Sequence, residues 1–279
     1  MTIGDLNLSW LEFGEGEQPL ILLHGGWFWA EGNWSVHFKA LHPHFRVYAP
    51  DNRGHGHTNL PGGSFESYHE MADDLIRFVD ALNLERKPLV MGHSEGAILA
   101  LHASIRKPEL FERQILIGIH PFTGASERHR RGMEQFFGVS DHRYPPDKWQ
   151  YFLRSPLRAR ALKVAHRKVN WHRLIVAIWD LWNTPFDLEK KDYARITCLT
   201  LVVFGRDEEF GSEEDFVELS HWINEGRKGE PLSVPYQVIP KKGKRKADHL
   251  FVTESPEALR EVALPFLRFG EWPGQDSSK

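Results

Sequence analysis

One serine in this chain lies in a setting that is typical of a catalytic nucleophile. Ser94 is the central residue of a Gly-x-Ser-x-Gly pattern that runs from Gly92 to Gly96, and an apolar run, residues 89–91, precedes it. Glycines at these two positions permit a sharp strand-to-helix turn that lifts the serine hydroxyl above a sheet. A turn serine that caps the following helix gives the same pattern. The pattern alone therefore leaves a structural serine and a nucleophile open.

A serine hydroxyl is a weak nucleophile, and it requires a general base that is oriented by an acid. In hydrolases with this turn, the acid and then a histidine follow the serine along the chain. Asp207 and Glu208 come after the apolar run 199–204, and His249 lies between the last predicted strand and the last predicted helix. A capping or packing histidine is the alternative for His249, since the chain has 16 histidines. The chain order favours a catalytic serine, acid and histidine.

Short apolar runs and amphipathic helices alternate along most of the chain. Continuous apolar runs predict strands that are buried on both faces, as in a parallel sheet. The predicted strands are 19–26, 45–51, 87–94, 113–121, 199–208 and 236–241. The predicted helices are 67–84, 95–109, 212–226 and 255–269, and Ser67 with Glu70 matches a capping box. The alternation predicts an α/β protein with a doubly wound, mostly parallel sheet.

One segment interrupts this alternation. Residues 122–190 contain no convincing strand, and they carry more basic than acidic residues. We interpret them as a helical insertion at one edge of the sheet. The expected organisation is a core formed by residues 1–121 and 191–270, a helical lid formed by the insertion 122–190, and a flexible C-terminal tail formed by residues 271–279.

Four motifs, in this chain order, resemble those of the α/β-hydrolase family. They are LLHGGW around residue 24, APDNRGHGHT around residue 53, GHSEGA around residue 94 and DHLFVTESPE from residue 248. The first resembles the oxyanion loop, the third the nucleophile elbow and the last the stretch with the histidine, although Asp248 replaces a glycine that is usual there. The resemblance covers nearly the whole chain. It implies the α/β-hydrolase fold, with a helical cap inserted after the sixth strand.

The resemblance also implies a role for each candidate residue. Ser94 attacks the substrate carbonyl and His249 transfers the proton. Backbone N–H groups of Gly26 or Trp27, together with that of Glu95, form the oxyanion hole.

The acid is open between two neighbours. Glu208 lies three positions after Gly205, where the family commonly places its acid, whereas Asp207 has the more usual side chain but lies one position earlier. We favour Glu208, because spacing fixes the direction of a side chain, and we keep Asp207 as the alternative.

Composition narrows the classes of partner and compartment. The formal net charge of −3 over 279 residues gives no sign of a nucleic-acid surface. No apolar run approaches the ~18 residues that cross a bilayer. The single cysteine, Cys198, and an N-terminus unlike a secretory signal favour a cytoplasmic protein. The histidine pairs at 42–44 and 55–57 are not followed by a zinc-binding pattern, so we interpret them as loop histidines and expect no metal and no cofactor. A monomer and a homodimer both remain open.

Aromatic residues indicate the expected substrate class. The candidate pocket residues are Trp27, Phe28, Trp149, Trp179 and Trp182, and core packing is the alternative for those that follow the oxyanion loop. Such a pocket suits an apolar or aromatic acyl group. We therefore expect a serine hydrolase that cleaves a small to medium ester, thioester or lactone through an acyl-enzyme. A C–C bond hydrolase, a lyase or a natural-product cyclase on the same triad is the alternative, and a ligand receptor with this fold is a third hypothesis.

Two charged features have no assigned role. The basic run 241–246 is either a solvated loop or a docking patch for an anionic substrate or surface. The Glu95 carboxyl lies beside the expected oxyanion hole, and the sequence leaves open whether it faces the pocket and repels anionic substrates.

Overall fold

A computed structural model describes residues 1–119, 131, 164–166, 168, 171–184, 186–239 and 247–274. Its strands are β1 (Thr2–Ile3), β2 (Leu6–Asn7), β3 (Trp10–Phe13), β4 (Gln18–Leu23), β5 (Phe45–Pro50), β6 (Leu89–His93), β7 (Arg113–Ile117), β8 (Leu199–Gly205) and β9 (Ser233–Val238). Its α-helices are α1 (Ala30–Leu41), α2 (Tyr68–Ala81), α3 (Glu95–Arg106), α4 (Trp171–Trp182), α5 (Lys190–Tyr193), α6 (Glu213–Asn224), α7 (Phe251–Glu254) and α8 (Pro256–Phe269). A short 3₁₀ helix covers Pro61–Gly63.

The main sheet has seven strands in the order β3-β5-β4-β6-β7-β8-β9. All neighbouring strands are parallel except β3, which pairs antiparallel with β5 at one edge. From β4 the chain continues to β5 on one side, and the next strand, β6, lies on the other side of β4. The carboxyl ends of β4 and β6 therefore open into one crevice, and ligands bind in such a crevice in sheets of this type. The prediction of a doubly wound, mostly parallel sheet is confirmed.

Helices cover both faces of the sheet, as the continuous apolar strands predict. Ile21 and Leu23 of β4 pack into one core, and the intervening Leu22 packs into the other. The first core contains α2, α3 and α6, with Phe78 and Phe216 among its largest buried side chains. The second contains residues of α1, α7 and α8. Two buried faces explain why the strands lack a polar side.

Two local predictions differ from the structure. The strands before residue 14 are absent from the sequence-based set, because β3 is an edge strand with an exposed and partly polar pattern that gives no continuous apolar run. The capping box of α2 is only half formed. The Ser67 hydroxyl accepts from the Glu70 N–H at 3.2 Å, but the Glu70 carboxylate accepts from the Glu66 N–H instead of returning to Ser67.

The segment between β7 and β8 is described only in part. It follows β7, the seventh strand along the chain, whereas we expected the cap after the sixth strand. Within the main sheet β7 is the fifth strand in chain order, because the short β1 and β2 pair in a separate sheet. Its described portion includes α4, whereas Trp149 and the basic run 241–246 lie outside the described residues. A lid over residues 122–190 stays a prediction. No helix in the described ranges is long and apolar enough to cross a membrane.

Candidate active site

Ser94 occupies a strained turn between β6 and α3. Its backbone has φ 53° and ψ −118°, a left-handed conformation that is rare for a residue with a side chain. A Cβ at Gly92 would collide with the Gly96 carbonyl, and a Cβ at Gly96 would collide with the Leu23 carbonyl. The Ser94 N–H donates to the Ile117 carbonyl at 2.8 Å, while its hydroxyl does not cap the helix. The glycines therefore permit the turn, and the serine hydroxyl stays available for chemistry.

His249 and Glu208 form a buried pair beyond the ends of β8 and β9. His249 Nδ1 lies 2.8 Å from Glu208 Oε1, and both side chains are almost inaccessible to solvent. Burial alone lowers the pKa of His249, but the charge and hydrogen bond of Glu208 outweigh it, so this pKa lies above its ordinary value. A side chain at Gly118, which has φ +55°, would press on both members of the pair.

The neighbouring Asp207 has a different position. Its Oδ2 accepts the Ala247 N–H at 3.0 Å, and Arg206 donates to the same carboxylate. Asp207 thus holds the backbone that leads into the histidine loop, whereas Glu208 reaches the imidazole ring. The structure therefore brings Glu208, and not Asp207, into hydrogen-bonding distance of the His249 ring.

His93 connects the elbow to the histidine loop. Its Nε2 lies 3.0 Å from the His249 carbonyl oxygen, and its Nδ1 lies 3.1 Å from Asn33 Oδ1. The Asn33 side chain also accepts the Gly25 N–H at 2.9 Å. Burial lowers the pKa of His93 to about 3, so this histidine is neutral at ordinary pH. His93 and Asn33 therefore connect the end of β6 with the His249 loop and with the loop at Gly25, in each case by a contact with a backbone group.

The three candidate oxyanion donors, the N–H groups of Gly26, Trp27 and Glu95, differ in what they already bind. The Trp27 N–H donates to His55 Nε2 at 3.1 Å, and Trp27 has a positive φ of 63°. Within the described ranges neither the Gly26 N–H nor the Glu95 N–H donates a hydrogen bond. The Cβ position of the adjacent Gly25 is 3.3 Å from the Ser94 Cβ. Gly26 and Glu95 therefore carry the available N–H groups beside the serine.

Three buried histidines, His24, His55 and His166, bind backbone groups of the candidate oxyanion loop. His24 accepts the Asn52 N–H through Nε2 at 2.9 Å and therefore donates from Nδ1 to the Gly25 carbonyl. His166, from the insertion, lies 3.1 Å from the Trp27 carbonyl through Nε2, and its Nδ1 accepts the Gly56 N–H at 2.8 Å.

Together with His55, His166 fixes both polar backbone groups of Trp27. The sequence gives no sign of this contact. His166 lies 139 positions from Trp27 and belongs to no motif, while His55 is one of a histidine pair that we interpreted only as loop residues.

The candidate pocket residues occupy different environments. Trp27 packs against Trp182, with ring centroids 4.6 Å apart, and Phe28 is partly exposed. Trp179 is only 1% exposed, which is typical of core packing and not of an open pocket wall. Besides its packing against Trp27, Trp182 donates a hydrogen bond from Nε1 to Glu95 Oε2 at 3.0 Å. Trp27 and Trp182 therefore form an aromatic pair at the candidate oxyanion loop.

The Glu95 side chain is buried and is not directed to solvent. Its exposed fraction is 1%, and burial raises its pKa to about 7, although the hydrogen bond from Trp182 acts in the opposite direction. Its Oε2 lies 3.1 Å from the position of a Cβ on Gly26. The carboxyl therefore lies next to the candidate oxyanion loop.

Comparisons with known proteins identify the family and the fold. A sequence profile of the Alpha/beta hydrolase family matches residues 20–262. The 2-hydroxy-6-oxo-6-(2'-aminophenyl)hexa-2,4-dienoic acid hydrolase of Metapseudomonas resinovorans is 35% identical over 120 residues, which are 42% of this chain and 41% of that protein. The pimeloyl-[acyl-carrier protein] methyl ester esterase of Vibrio campbellii is 33% identical over 130 residues, 46% of each chain. The aligned stretches thus span less than half of these relatives.

A solved structure extends the likeness over the whole fold. The meta-cleavage product hydrolase CumD of Pseudomonas fluorescens IP01 has a TM-score of 0.72 with this chain at 21% identity. The superposition covers 96% of both chains. At this identity the likeness concerns the fold alone.

Proposed function

Because the chain belongs to the alpha/beta hydrolase family, we propose that it is a serine hydrolase that cleaves a carboxylic ester, thioester or lactone through an acyl-enzyme. The observation that carries the proposal is the buried 2.8 Å contact between His249 Nδ1 and Glu208 Oε1. The strained Ser94 turn at the end of β6 supplies the nucleophile. A serine, a histidine and an acid in these roles are sufficient for acyl transfer.

The tautomer of His249 follows from its contact with Glu208. An ionised carboxylate only accepts hydrogen bonds, so Nδ1 carries the proton and Nε2 keeps its lone pair. Nε2 then takes the proton from Ser94 as the oxygen attacks the carbonyl carbon. Glu208 stabilises the imidazolium that forms, and its burial strengthens this interaction. The protonated His249 next delivers its proton to the leaving alcohol or thiol.

Charge on the carbonyl oxygen is stabilised by the N–H groups of Gly26 and Glu95 in this proposal. Both are available, whereas the Trp27 N–H is engaged by His55. The Glu95 N–H also lies in the first turn of α3, where the helix dipole favours negative charge. Water then attacks the acyl-enzyme, with His249 as the base, and releases the acid. Loss of one such donor typically costs about 10²–10³ in kcat.

The substrate class rests on two supports. The aromatic pair Trp27 and Trp182 lies beside Gly26, which favours an apolar or aromatic acyl group. A relative named as a methyl ester esterase shares 33% identity over the stretch it aligns. C–C bond hydrolysis on the same three side chains is the second candidate, since the relative at 35% identity is named as a dienoic acid hydrolase.

Active-site labelling tests the proposal. A fluorophosphonate should modify Ser94, as located by peptide mass spectrometry, and Ser94→Ala should abolish both labelling and turnover of p-nitrophenyl acetate. Ser64→Ala, at an exposed serine, is the matched control and should keep both. Labelling elsewhere, or an active Ser94→Ala, would contradict the mechanism. A panel of esters, thioesters and vinylogous diketones then separates the two candidate reactions by relative kcat/KM.

A further inference from the structure

The Glu95 carboxyl joins two parts of the site that the proposed mechanism treats separately. Its Oε2 accepts a hydrogen bond from Trp182 Nε1 at 3.0 Å, and Trp182 belongs to the insertion. The same oxygen lies 3.1 Å from the Cβ position of Gly26, and the Trp182 ring also presses on that position. One buried carboxyl therefore contacts the helix α4 and the oxyanion loop together.

No cation balances this carboxyl among the described residues. His55 is nearest, with Nε2 3.9 Å from Glu95 Oε1, but it accepts the Trp27 N–H through Nε2 and donates from Nδ1 to the Arg53 carbonyl. His55 is therefore neutral, and burial holds its pKa well below the ordinary value.

In the described part of the chain Tyr68, at the start of α2, is a second titratable group that faces the carboxyl. Burial, together with the charge of Glu95, raises the pKa of Tyr68 well above its ordinary value, so this phenol stays neutral. Glu95 Oε1 has no hydrogen-bond partner in the described part of the chain. An ionised Glu95 thus lacks both a counter-ion and a donor for one oxygen, while the neutral acid places its proton on that oxygen.

Resting on the proposed serine-hydrolase function, we propose that Glu95 is a positioning residue that works as the neutral acid. It holds Trp182 against Gly26, and its ionisation impairs the oxyanion hole. A negative carboxylate next to Gly26 repels the negative charge that develops on the substrate oxygen, and the low dielectric of the buried site strengthens that repulsion. The reaction should therefore need a neutral His249 and a neutral Glu95 at the same time.

The pH dependence follows from this requirement. His249 loses its proton as the pH rises, which gives an ascending limb, and Glu95 ionises with a pKa of about 7, which gives a descending limb. The fraction of neutral Glu95 falls from about one half at pH 7 to about 1% at pH 9 by simple ionisation. We expect kcat for p-nitrophenyl acetate to fall at least tenfold between pH 7 and pH 9.

Glu95→Gln tests the proposal directly. The amide oxygen still accepts from Trp182, but the side chain does not ionise, so the descending limb should disappear while the ascending limb remains. Glu109→Gln, at an exposed position on the loop after α3, is the matched control and should keep both limbs. A Glu95→Gln enzyme that retains the full descending limb would overturn the proposal.

Trp182→Phe provides a second test that remains valid if Glu95→Gln fails to fold. The phenyl ring keeps much of the packing, but the donor that lowers the pKa of Glu95 is lost. The descending limb should therefore move to higher pH. A limb that stays in place, or that moves to lower pH, would contradict the role of Glu95.

A spectroscopic measurement separates this proposal from the proposed function. The indole N–H signal of Trp182, assigned by its loss in Trp182→Phe, should titrate near pH 7 in the parent and stay constant in Glu95→Gln. An enzyme in which fluorophosphonate fails to label Ser94 at any pH refutes the serine hydrolase. Normal Ser94 labelling with a Trp182 signal that does not titrate refutes only the assignment of Glu95.

Discussion

Replacing Glu208 by Gln removes the charge that stabilises protonated His249 while keeping the size of the side chain. Two unit charges 2.8 Å apart attract by about 6 kcal/mol at an effective dielectric constant of about 20, which is suitable for such sites. The Gln amide presents either a neutral oxygen or an N–H to Nδ1. The N–H orientation selects the wrong tautomer, with the proton on Nε2. A loss of about 10³–10⁴ in kcat follows, which corresponds to about 4–5.5 kcal/mol.

The assay compares Glu208→Gln with Asp207→Asn on the same ester. Asp207 contacts the Ala247 N–H and Arg206, not the imidazole ring, so Asp207→Asn should lower kcat by less than about tenfold. Fluorophosphonate labelling of Ser94 should slow in parallel with kcat for Glu208→Gln. A nearly normal Glu208→Gln together with an inactive Asp207→Asn would refute the reasoning, because the acid would then be the residue that the distances disfavour.

Three further results are expected. The ascending limb of kcat/KM should give an apparent pKa above 6.5, because Glu208 raises the pKa of His249; a midpoint below 6 in stopped-flow or steady-state profiles would contradict this. Gly96→Ala should destabilise the protein by about 2 kcal/mol or more in urea unfolding, since its Cβ meets a backbone carbonyl of β4. Asp74→Asn should cost about 1–3 kcal/mol in the same measurement, because buried Arg53 loses the carboxylate it binds at 2.7 Å and keeps, among the described residues, only Glu70, at 3.0 Å, and the exposed Asp5; an unchanged unfolding free energy would show that the pair is unimportant.

The sequence allowed the sheet and the elbow to be predicted because both depend on local patterns. Strands buried on two faces are continuous apolar runs, and the turn at Ser94 needs glycine at two fixed positions where a Cβ would collide. The spacing after Gly205 distinguished Glu208 from Asp207 for a similar reason. The direction of a side chain at the end of a strand follows from its position along the chain.

Contacts between distant segments were not predictable in this way. The Trp182 indole reaches Glu95 across 87 positions, and His166 reaches Trp27 across 139. Neither Trp182 nor His166 belongs to a motif. Both contacts depend on how the insertion packs on the core. The edge strand β3 was missed for the opposite reason, since its exposed residues give no pattern that differs from a loop.

The histidines around the site divide into two groups whose pKa values shift in opposite directions. His24, His55, His93 and His166 bind backbone or amide groups in the neutral form, and burial lowers the pKa of each. Of the histidines described at the site, His249 is the one whose neighbouring carboxylate reverses the shift. The four bracing histidines take up protons more readily in the unfolded chain, so native stability falls as the pH drops below about 6.5. For His93 and His166 the loss is about 1.4 kcal/mol per pH unit down to their folded pKa values of about 3 and about 4. At neutral pH the braces keep the candidate oxyanion loop fixed, whereas His249 exchanges its proton in the mechanism that we propose. This difference in environment separates a scaffold imidazole from the proposed catalytic one.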